Sequence, residues 1–406
     1  MGIEADLVVH NVGQLVTGEP AQGMGPLGVL EHAAVASLQG QVVWVGPSAR
    51  WPWRVELRAE ARVVDAGGAC ALPGFVDAHA ALIWEGSRAE EHAARISGRP
   101  YSGGGLMRSV RDTRIADEED LVASGQRRLN SFLRHGITSA ELRSGYGLSL
   151  AAEEKLIRVA ERLAASSTQR LVITFYGGHV PPEDCPREEY LNQVRSEMLP
   201  RFKGRADFCQ VWCDPGAFDP GECRSILAAA HTEGFQLKVS AAQLAPGEGP
   251  QVAVEMGAAS VAHLNYLRDT DARTLAESST VCVICPASTT NLKMASEGAA
   301  RALAAAGCEL ALATDYNPTT SCSENMCLII GLACQELGLS VEEALRAATL
   351  GGARALRLQR WCGSIRQGKR CDLLLLDAES YLEIPYRLGV NLVQTAICNG
   401  VLPDER

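Results

Sequence analysis

The segment that decides the fold of this chain is Pro73-Gly74-Phe75-Val76-Asp77-Ala78-His79-Ala80-Ala81. Its apolar residues predict a buried strand, and a polar cluster stands where that strand ends. His79 could be a histidine of the core or a residue of a functional site. Its position at the end of the strand favours a functional site.

The chain beyond this segment alternates apolar strand candidates with helical patterns. The strand candidates are residues 74–83, 136–142, 171–177, 208–213, 236–241, 260–264, 281–285 and 309–314. Helix-like segments with apolar residues three or four apart lie between them, as in residues 151–164, 221–232 and 297–306. Eight strand–helix units predict an α/β protein with a (β/α)8 TIM barrel. The active site of such a barrel lies at the C-terminal ends of its strands.

Both ends of the chain have a different pattern from the barrel region. Short strand-like runs broken by glycine and proline occupy residues 1–72, and two more strand candidates lie in residues 357–406. Chain termini commonly lie close together, so the two ends are expected to form one small β-sandwich domain. The predicted division is therefore 1–72 with 357–406 for that domain, and 73–356 for the barrel.

Charge and composition exclude several classes of partner. The chain has 406 residues and a formal net charge of −10, which argues against nucleic acid or an anionic membrane surface as a partner. No apolar run approaches the length of a membrane span, and no secretory signal pattern opens the sequence. The sequence therefore predicts a cytoplasmic protein whose 14 cysteines are reduced and whose substrate is a small molecule.

Several motifs together resemble imidazolonepropionase, a hydrolase family of the amidohydrolase superfamily. They are Gly86-Ser87-Arg88, Arg143-Ser144-Gly145-Tyr146-Gly147-Leu148-Ser149, Gly177-Gly178-His179-Val180-Pro181-Pro182, Ala313-Thr314-Asp315-Tyr316-Asn317-Pro318, Ser323-Glu324-Asn325-Met326 and Tyr386-Arg387-Leu388-Gly389-Val390-Asn391. Each motif alone is weak, but their order and spacing along almost the whole chain are specific. The resemblance also implies a homodimer.

The resemblance implies one set of residues that hold a small substrate with a carboxylate. These are Arg88, Tyr146, His179 and Asn317, with Tyr101 nearby and Gln243 facing the same ligand. A guanidinium such as that of Arg88 can form two parallel hydrogen bonds to a carboxylate. Thr319 and Thr320 stand where the family has glycine and serine, so the pocket is expected to be narrower or reshaped.

The resemblance implies a second set, which binds a metal, and here the chain departs from the family. Ala81 replaces the second histidine of the His-x-His pair, Ser240 replaces the histidine of strand five, and Gln243 replaces the acid/base glutamate. His79 and Asp315 are the family ligand positions that survive. A catalytic zinc normally takes three protein ligands, so this pattern predicts weak or no binding of zinc or iron and no cofactor.

Three functions are compatible with these substitutions. The first is a metal-independent enzyme that opens, closes or isomerises an imidazolone-like ring by acid–base catalysis, with His79, Asp315, His179 and His263 as the catalytic residues. The second is a non-catalytic protein that binds such a ligand or a partner enzyme. The third is an imidazolonepropionase that rebuilds its metal site with His263 or His179. His263 could equally be structural, and Asp315 could simply pair with His79.

Overall fold

The computed structural model describes residues 2–99, 105–294 and 298–403, so the predicted substrate residue Tyr101 lies outside the described residues. The strands, numbered in chain order, are β1 (Ile3–Val16), β2 (Val29–Leu38), β3 (Gln41–Pro47), β4 (Val55–Asp65), β5 (Cys70–Pro73), β6 (Phe75–Asp77), β7 (Ile137–Arg143), β8 (Arg170–Gly178), β9 (Phe208–Cys213), β10 (Gln236–Ala241), β11 (Ser260–His263), β12 (Val281–Ile284), β13 (Leu310–Leu312), β14 (Leu373–Leu376) and β15 (Val393–Ile397).

Helices cover most of the chain between the strands. They are α1 (Trp51–Arg54), α2 (Ala89–Ile96), α3 (Leu106–Ile115), α4 (Glu118–Arg134), α5 (Leu150–Ser166), α6 (Arg187–Gln193), α7 (Leu199–Phe202), α8 (Pro220–Thr232), α9 (Gly249–Glu255), α10 (Asp271–Ala276), α11 (Pro286–Asn291), α12 (Ala299–Ala305), α13 (Met326–Gln335), α14 (Val341–Arg346), α15 (Gly352–Ala355) and α16 (Glu383–Tyr386). Short 3₁₀ turns at Pro20–Gln22 and Ser48–Arg50 and π turns at Val194–Met198 and Ala347–Gly351 complete the set.

Strands β6 to β13 form one eight-stranded parallel sheet in sequence order, which confirms the predicted barrel. The first and last strands approach each other through Asp77, whose carboxylate accepts hydrogen bonds from the backbone N–H and the hydroxyl of Thr314. The observed bounds of β9 and β10 equal the predicted ones. Strand β6 is shorter than predicted, because after Asp77 its backbone leaves the ladder and Asp77 accepts the N–H of His79 instead.

A second, seven-stranded sheet combines both ends of the chain, as predicted. Its order is β15-β14-β5-β1-β2-β3, with β4 paired to β1. Strand β14 lies antiparallel between β5 and β15, so the C-terminal segment completes a sheet that the N-terminal segment begins. Within the part of the chain that is described, no helix is both long and apolar enough to cross a lipid bilayer.

Candidate metal centre and ligand pocket

Polar side chains from the strand ends converge on one cavity at the C-terminal mouth of the barrel. The cavity is narrow, with a volume of about 50 Å³. It is lined by His79, Leu106, Arg143, Tyr146, Tyr176, His179, Trp212, Gln243, His263, Asp315, Asn317, Thr319 and Thr320. This is the position at which barrel enzymes place their active sites.

His79, His263 and Asp315 form a buried cluster in this cavity. One potential ligand atom from each residue lies within 4.8 Å of the other two. The Nε2 atom of His79 is 3.6 Å from Oδ1 of Asp315, and the two imidazoles meet edge to face with their centroids 5.1 Å apart. Among the described residues, no hydrogen-bond partner reaches the buried Nδ1 of His263. An unpaired buried nitrogen is costly, so this atom is available for a ligand.

The backbone turns two of these side chains into the cavity. His263 has a φ of +79° and Asp315 a φ of +49°, both in the left-handed region that residues with a Cβ rarely adopt. Such strain costs about 1–3 kcal/mol for each residue and is concentrated at functional sites.

Burial keeps both histidines of the cluster neutral. It lowers the pKa of His79 well below its ordinary value, and the nearby cation of Arg143 lowers it further. Burial also lowers the pKa of His263 to about 4, and the attraction of Asp315 only partly offsets this effect. A neutral imidazole has a free lone pair, which is the form that binds a metal ion.

Arg143, the last residue of β7, lies against the same cluster. Its Nη1 is 2.9 Å from Nδ1 and 2.6 Å from Nε2 of His79, and its Nη2 is 3.5 Å from Oδ1 of Asp315. The guanidinium carbon also lies 5.1 Å from the centre of the Tyr176 ring. Two sequence signals could have identified it, namely its place directly after a predicted strand and at the start of the Arg143–Ser149 motif, but no role was predicted for it.

A buried ion pair supports the cluster from inside the barrel. The ammonium of Lys238 donates to Glu141 and, at 2.7 Å, to the carbonyl oxygen of Ala78. Glu141 also accepts the hydroxyl of Thr174 and the backbone N–H of Ala80. The pair therefore joins β7 and β10 to the backbone on both sides of His79, although the sequence analysis did not identify it.

Three aromatic rings pack together on the side of the cavity where the predicted substrate residues lie, and one buried carboxylate fixes the adjacent loop. His179 donates from Nδ1 to the carbonyl oxygen of Gly145 at 2.8 Å, stacks on Tyr176 at 4.5 Å and meets Tyr146 edge to face at 5.4 Å. Glu153, in the first turn of α5, accepts the N–H groups of residues 145, 147 and 148. The position of the Tyr146 loop thus depends on Glu153, a residue to which no role was given from the sequence.

Asn317, Thr319 and Thr320 form the wall next to Asp315. The Asn317 side chain accepts the N–H groups of both threonines at 2.8 Å and donates to the Thr320 hydroxyl at 2.7 Å. That hydroxyl in turn donates to Oδ2 of Asp315 at 2.9 Å. Thr320 therefore orients the carboxylate of the cluster, and Thr319 lines the cavity beside it.

Arg88 lies behind this wall and does not line the cavity. Its guanidinium donates to both carboxylate oxygens of Glu91 and to the hydroxyl of Thr319. The partner of Arg88 in the structure is therefore Glu91, a residue to which the sequence analysis gave no role.

The residues at the three positions that depart from the family pattern make different contacts. Ala81 is fully buried, and its backbone N–H donates a hydrogen bond to the backbone carbonyl oxygen of Tyr316 at 2.7 Å. Ser240 accepts a hydrogen bond from the Gln210 amide at 2.8 Å. Gln243 lines the cavity and its backbone N–H donates to Asp214 at 2.9 Å. None of these three side chains belongs to the cluster.

A larger cavity of about 700 Å³ lies elsewhere, between α4 and β15. Among the described residues that line it, there is no histidine and no carboxylate. A large volume alone does not identify a functional site. The narrow cavity at the barrel mouth is the better candidate, because several titratable side chains converge on it.

The chain matches the amidohydrolase family over residues 70–402. It is 41% identical over 401 residues to an imidazolonepropionase from Salinispora arenicola, and the alignment covers 98% of each chain. It is 40% identical to an imidazolonepropionase from Streptomyces coelicolor, and this alignment covers 98% of this chain and 99% of the relative. Its fold is similar to an adenosine deaminase from Xanthomonas campestris with bound zinc (TM-score 0.74, 20% identity, 99% and 93% coverage). It is also similar to an atrazine chlorohydrolase from Arthrobacter aurescens complexed with zinc (TM-score 0.73, 14% identity, 98% and 94% coverage).

The expectation that the chain has no metal cofactor is wrong. Only two of the family ligand positions, His79 and Asp315, survive in the sequence, but His263 at the end of β11 joins them as a third. Two neutral imidazoles and one carboxylate are a common donor set for catalytic zinc, and His263 has an unpaired nitrogen for it. The residues present therefore fit a divalent metal ion, and solved structures of the same fold carry zinc.

The predicted family is confirmed by the sequence match along the whole chain and by the barrel with its composite second sheet. The chain belongs to the amidohydrolase family, as an imidazolonepropionase-like member.

Proposed function

We propose that this protein hydrolyses a ring C–N bond in a small cyclic amide of the imidazolone type that carries a carboxylate. The observation that carries the proposal is the buried cluster of His79, His263 and Asp315 at the mouth of the barrel. The names of the curated relatives, imidazolonepropionase, support the substrate class. In this reaction the ring carbonyl carbon gains a hydroxyl from water, and the leaving ring nitrogen gains the proton.

His79, His263 and Asp315 would hold the divalent ion. Such an ion would polarise the ring carbonyl and lower the pKa of water. The two imidazoles are kept neutral by burial, and Thr320 orients the carboxylate through a hydrogen bond to Oδ2. The neutral imidazoles and the oriented carboxylate support this assignment of the metal ligands.

His179 is the proposed general base. Its Nδ1–H is donated to the Gly145 carbonyl, so Nε2 carries the free lone pair. Burial lowers the pKa of His179 to about 4, which keeps the ring unprotonated at neutral pH. Its free Nε2 lone pair would accept a proton from water whose pKa the ion would lower, and would return that proton to the leaving nitrogen. Gln243 can only hydrogen-bond the ring, because an amide does not exchange protons at these pH values.

Arg88 is proposed to hold the carboxylate of the substrate. It is already neutralised by Glu91, so the substrate has to replace that partner. Thr319 accepts a hydrogen bond from the same guanidinium and lines the cavity, which supports an exchange of partners at the pocket wall.

The test is turnover of 4-imidazolone-5-propanoate by purified protein, measured together with metal content. We expect metal-dependent opening to formiminoglutamate. His263→Ala should lose at least about 100-fold in kcat/KM and most of its bound metal, since one of three ligands is removed. The exposed His231 lies in α8 and provides the control, so His231→Ala should behave as the parent protein does. Stabilisation by the ligand without turnover would instead indicate a non-catalytic binding protein.

A further inference from the structure

The guanidinium of Arg143 occupies the space in which the metal ion has to bind. Its nitrogens lie 2.6–3.5 Å from Nε2 of His79 and Oδ1 of Asp315. A metal ion lies about 2.0–2.2 Å from the nitrogen and oxygen atoms that bind it. An ion bound to both residues would therefore be in contact with a guanidinium that is always charged. Two cations at such a separation in a buried site repel each other strongly.

We propose that Arg143 is a displaceable internal cation, which competes with the metal for His79 and Asp315 and then shares the carboxylate of the substrate with Arg88. Metal and anionic ligand would then bind cooperatively. This inference rests on the proposed metal site, but it concerns a residue to which the family resemblance gave no role.

The surroundings of Arg143 explain why the displaced guanidinium needs a new partner. Arg143 is 4% exposed, so its charge cannot be left unpaired without a large desolvation cost. Glu141, a nearby carboxylate, already accepts hydrogen bonds from Lys238, Thr174 and the N–H of Ala80. The guanidinium also lies over the face of the Tyr176 ring, which is a weak partner by comparison. An incoming carboxylate would supply the missing negative charge.

The size of the cavity supports the same movement. Its volume of about 50 Å³ holds little more than a water molecule or two, whereas ligand sites typically measure about 300–1,000 Å³. Arg143 lines this cavity, so its departure from His79 frees space as well as the metal position. Room for the ion and room for the substrate thus depend on one side chain.

The experiment measures Zn²⁺ affinity by isothermal titration calorimetry, with and without saturating propanoate as the carboxylate probe. In Arg143→Gln we expect the Kd for Zn²⁺ to fall by roughly tenfold or more, because a like charge is removed from the site. In the parent protein propanoate should lower the Kd for Zn²⁺, and Zn²⁺ should lower the Kd for propanoate by the same factor, as linkage requires. In Arg143→Gln this coupling should disappear.

Three further variants separate the alternatives. Arg143→Met, a second neutral replacement, should reproduce the tighter binding, while Arg143→Lys keeps the charge and should stay near the parent Kd. Arg268→Gln removes a positive charge from a loop at the same end of the barrel, where Arg268 pairs with Asp271, and should leave the Kd unchanged. His79→Ala should abolish the Zn²⁺ signal, which assigns that signal to this site.

The results distinguish this inference from the proposed function. Equal Zn²⁺ affinity in the parent, Arg143→Gln and Arg143→Met would overturn the inference and leave the metal-dependent function standing. Coupling to propanoate that persists in Arg143→Gln would also overturn it, since the anion would then bind elsewhere. Zn²⁺ binding by the neutral variants but not by the parent would support the inference and contradict the proposed function. No binding by any variant would contradict both.

Discussion

His179 has an unprotonated ring in a position where aromatic rings and a backbone carbonyl surround it. It is stacked on Tyr176 at 4.5 Å, lies 6.0 Å from the Trp212 ring, and gives its Nδ1–H to a backbone carbonyl. Burial lowers the pKa of His179 to about 4, against an ordinary value of 6.5. A folded molecule therefore holds this ring neutral over a pH range in which the unfolded chain protonates it.

The stability of the protein should consequently fall as the pH drops from about 6.5 to about 4. The unfolded state binds the proton first, so acid favours unfolding, and the full effect of this ring amounts to a few kcal/mol. Urea unfolding of the parent and His179→Gln across this range measures the effect, and the variant should show a shallower pH dependence. If the free energy of unfolding of the two proteins depended on pH in the same way, the lowered pKa of His179 would be contradicted.

The loop between β7 and α5 acts as a unit that a single carboxylate organises. Glu153 is fully buried and its two oxygens accept the N–H groups of Gly145, Gly147 and Leu148 at 2.7–3.1 Å. Leu148 has a φ of +50° and Gly145 one of +98°, so the loop has a conformation that needs external support. Through these bonds the first turn of a helix fixes the position of Tyr146 in the cavity.

Replacing Glu153 by glutamine should raise KM about tenfold with a smaller change in kcat, because the amide N–H₂ cannot accept the loop N–H groups. A lost buried acceptor should also lower the free energy of unfolding by about 1–3 kcal/mol. The neighbouring Glu154, which pairs with Arg201 at the surface, offers a matched control in Glu154→Gln. An unchanged KM in Glu153→Gln would show that Tyr146 does not contact the substrate.

At the scale of the whole molecule, the candidate metal centre connects segments that are far apart in the chain. His79 follows β6, His263 ends β11 and Asp315 follows β13, so an ion would link the first, sixth and last strands of the barrel. The first and last strands otherwise meet through the bonds of Asp77 to Thr314. Binding an ion in the folded state alone should therefore stabilise the entire barrel.

Metal removal should accordingly lower the melting temperature. At a free ion concentration about 100 times Kd, binding stabilises the folded state by about 2.7 kcal/mol. This stabilisation corresponds to a rise of several degrees in the melting temperature. Calorimetric melting of metal-loaded and chelator-treated protein measures it, with His263→Ala as the control that should respond little to either treatment. A parent protein that melts at the same temperature in both states would contradict the metal site.

Much of the architecture could be predicted from the sequence, because apolar periodicity is a local property. The eight strand candidates, the composite second sheet and the convergence of Tyr146, His179, Gln243 and Asn317 on one strand-end cavity all followed from patterns and motifs. The division into residues 1–72, 73–356 and 357–406, the homodimer and the cytoplasmic location stay predictions.

The sequence by itself determined the barrel and the substitutions at Ala81, Ser240 and Gln243. Only the tertiary structure decided that His263 completes a three-residue cluster, that Arg143 lies between His79 and Asp315, and that Glu91 neutralises Arg88. The physical reason is that strand periodicity depends on neighbouring residues, whereas a ligand set depends on which strand ends face one another. That arrangement exists only after the barrel has brought β6, β7, β11 and β13 around a common axis.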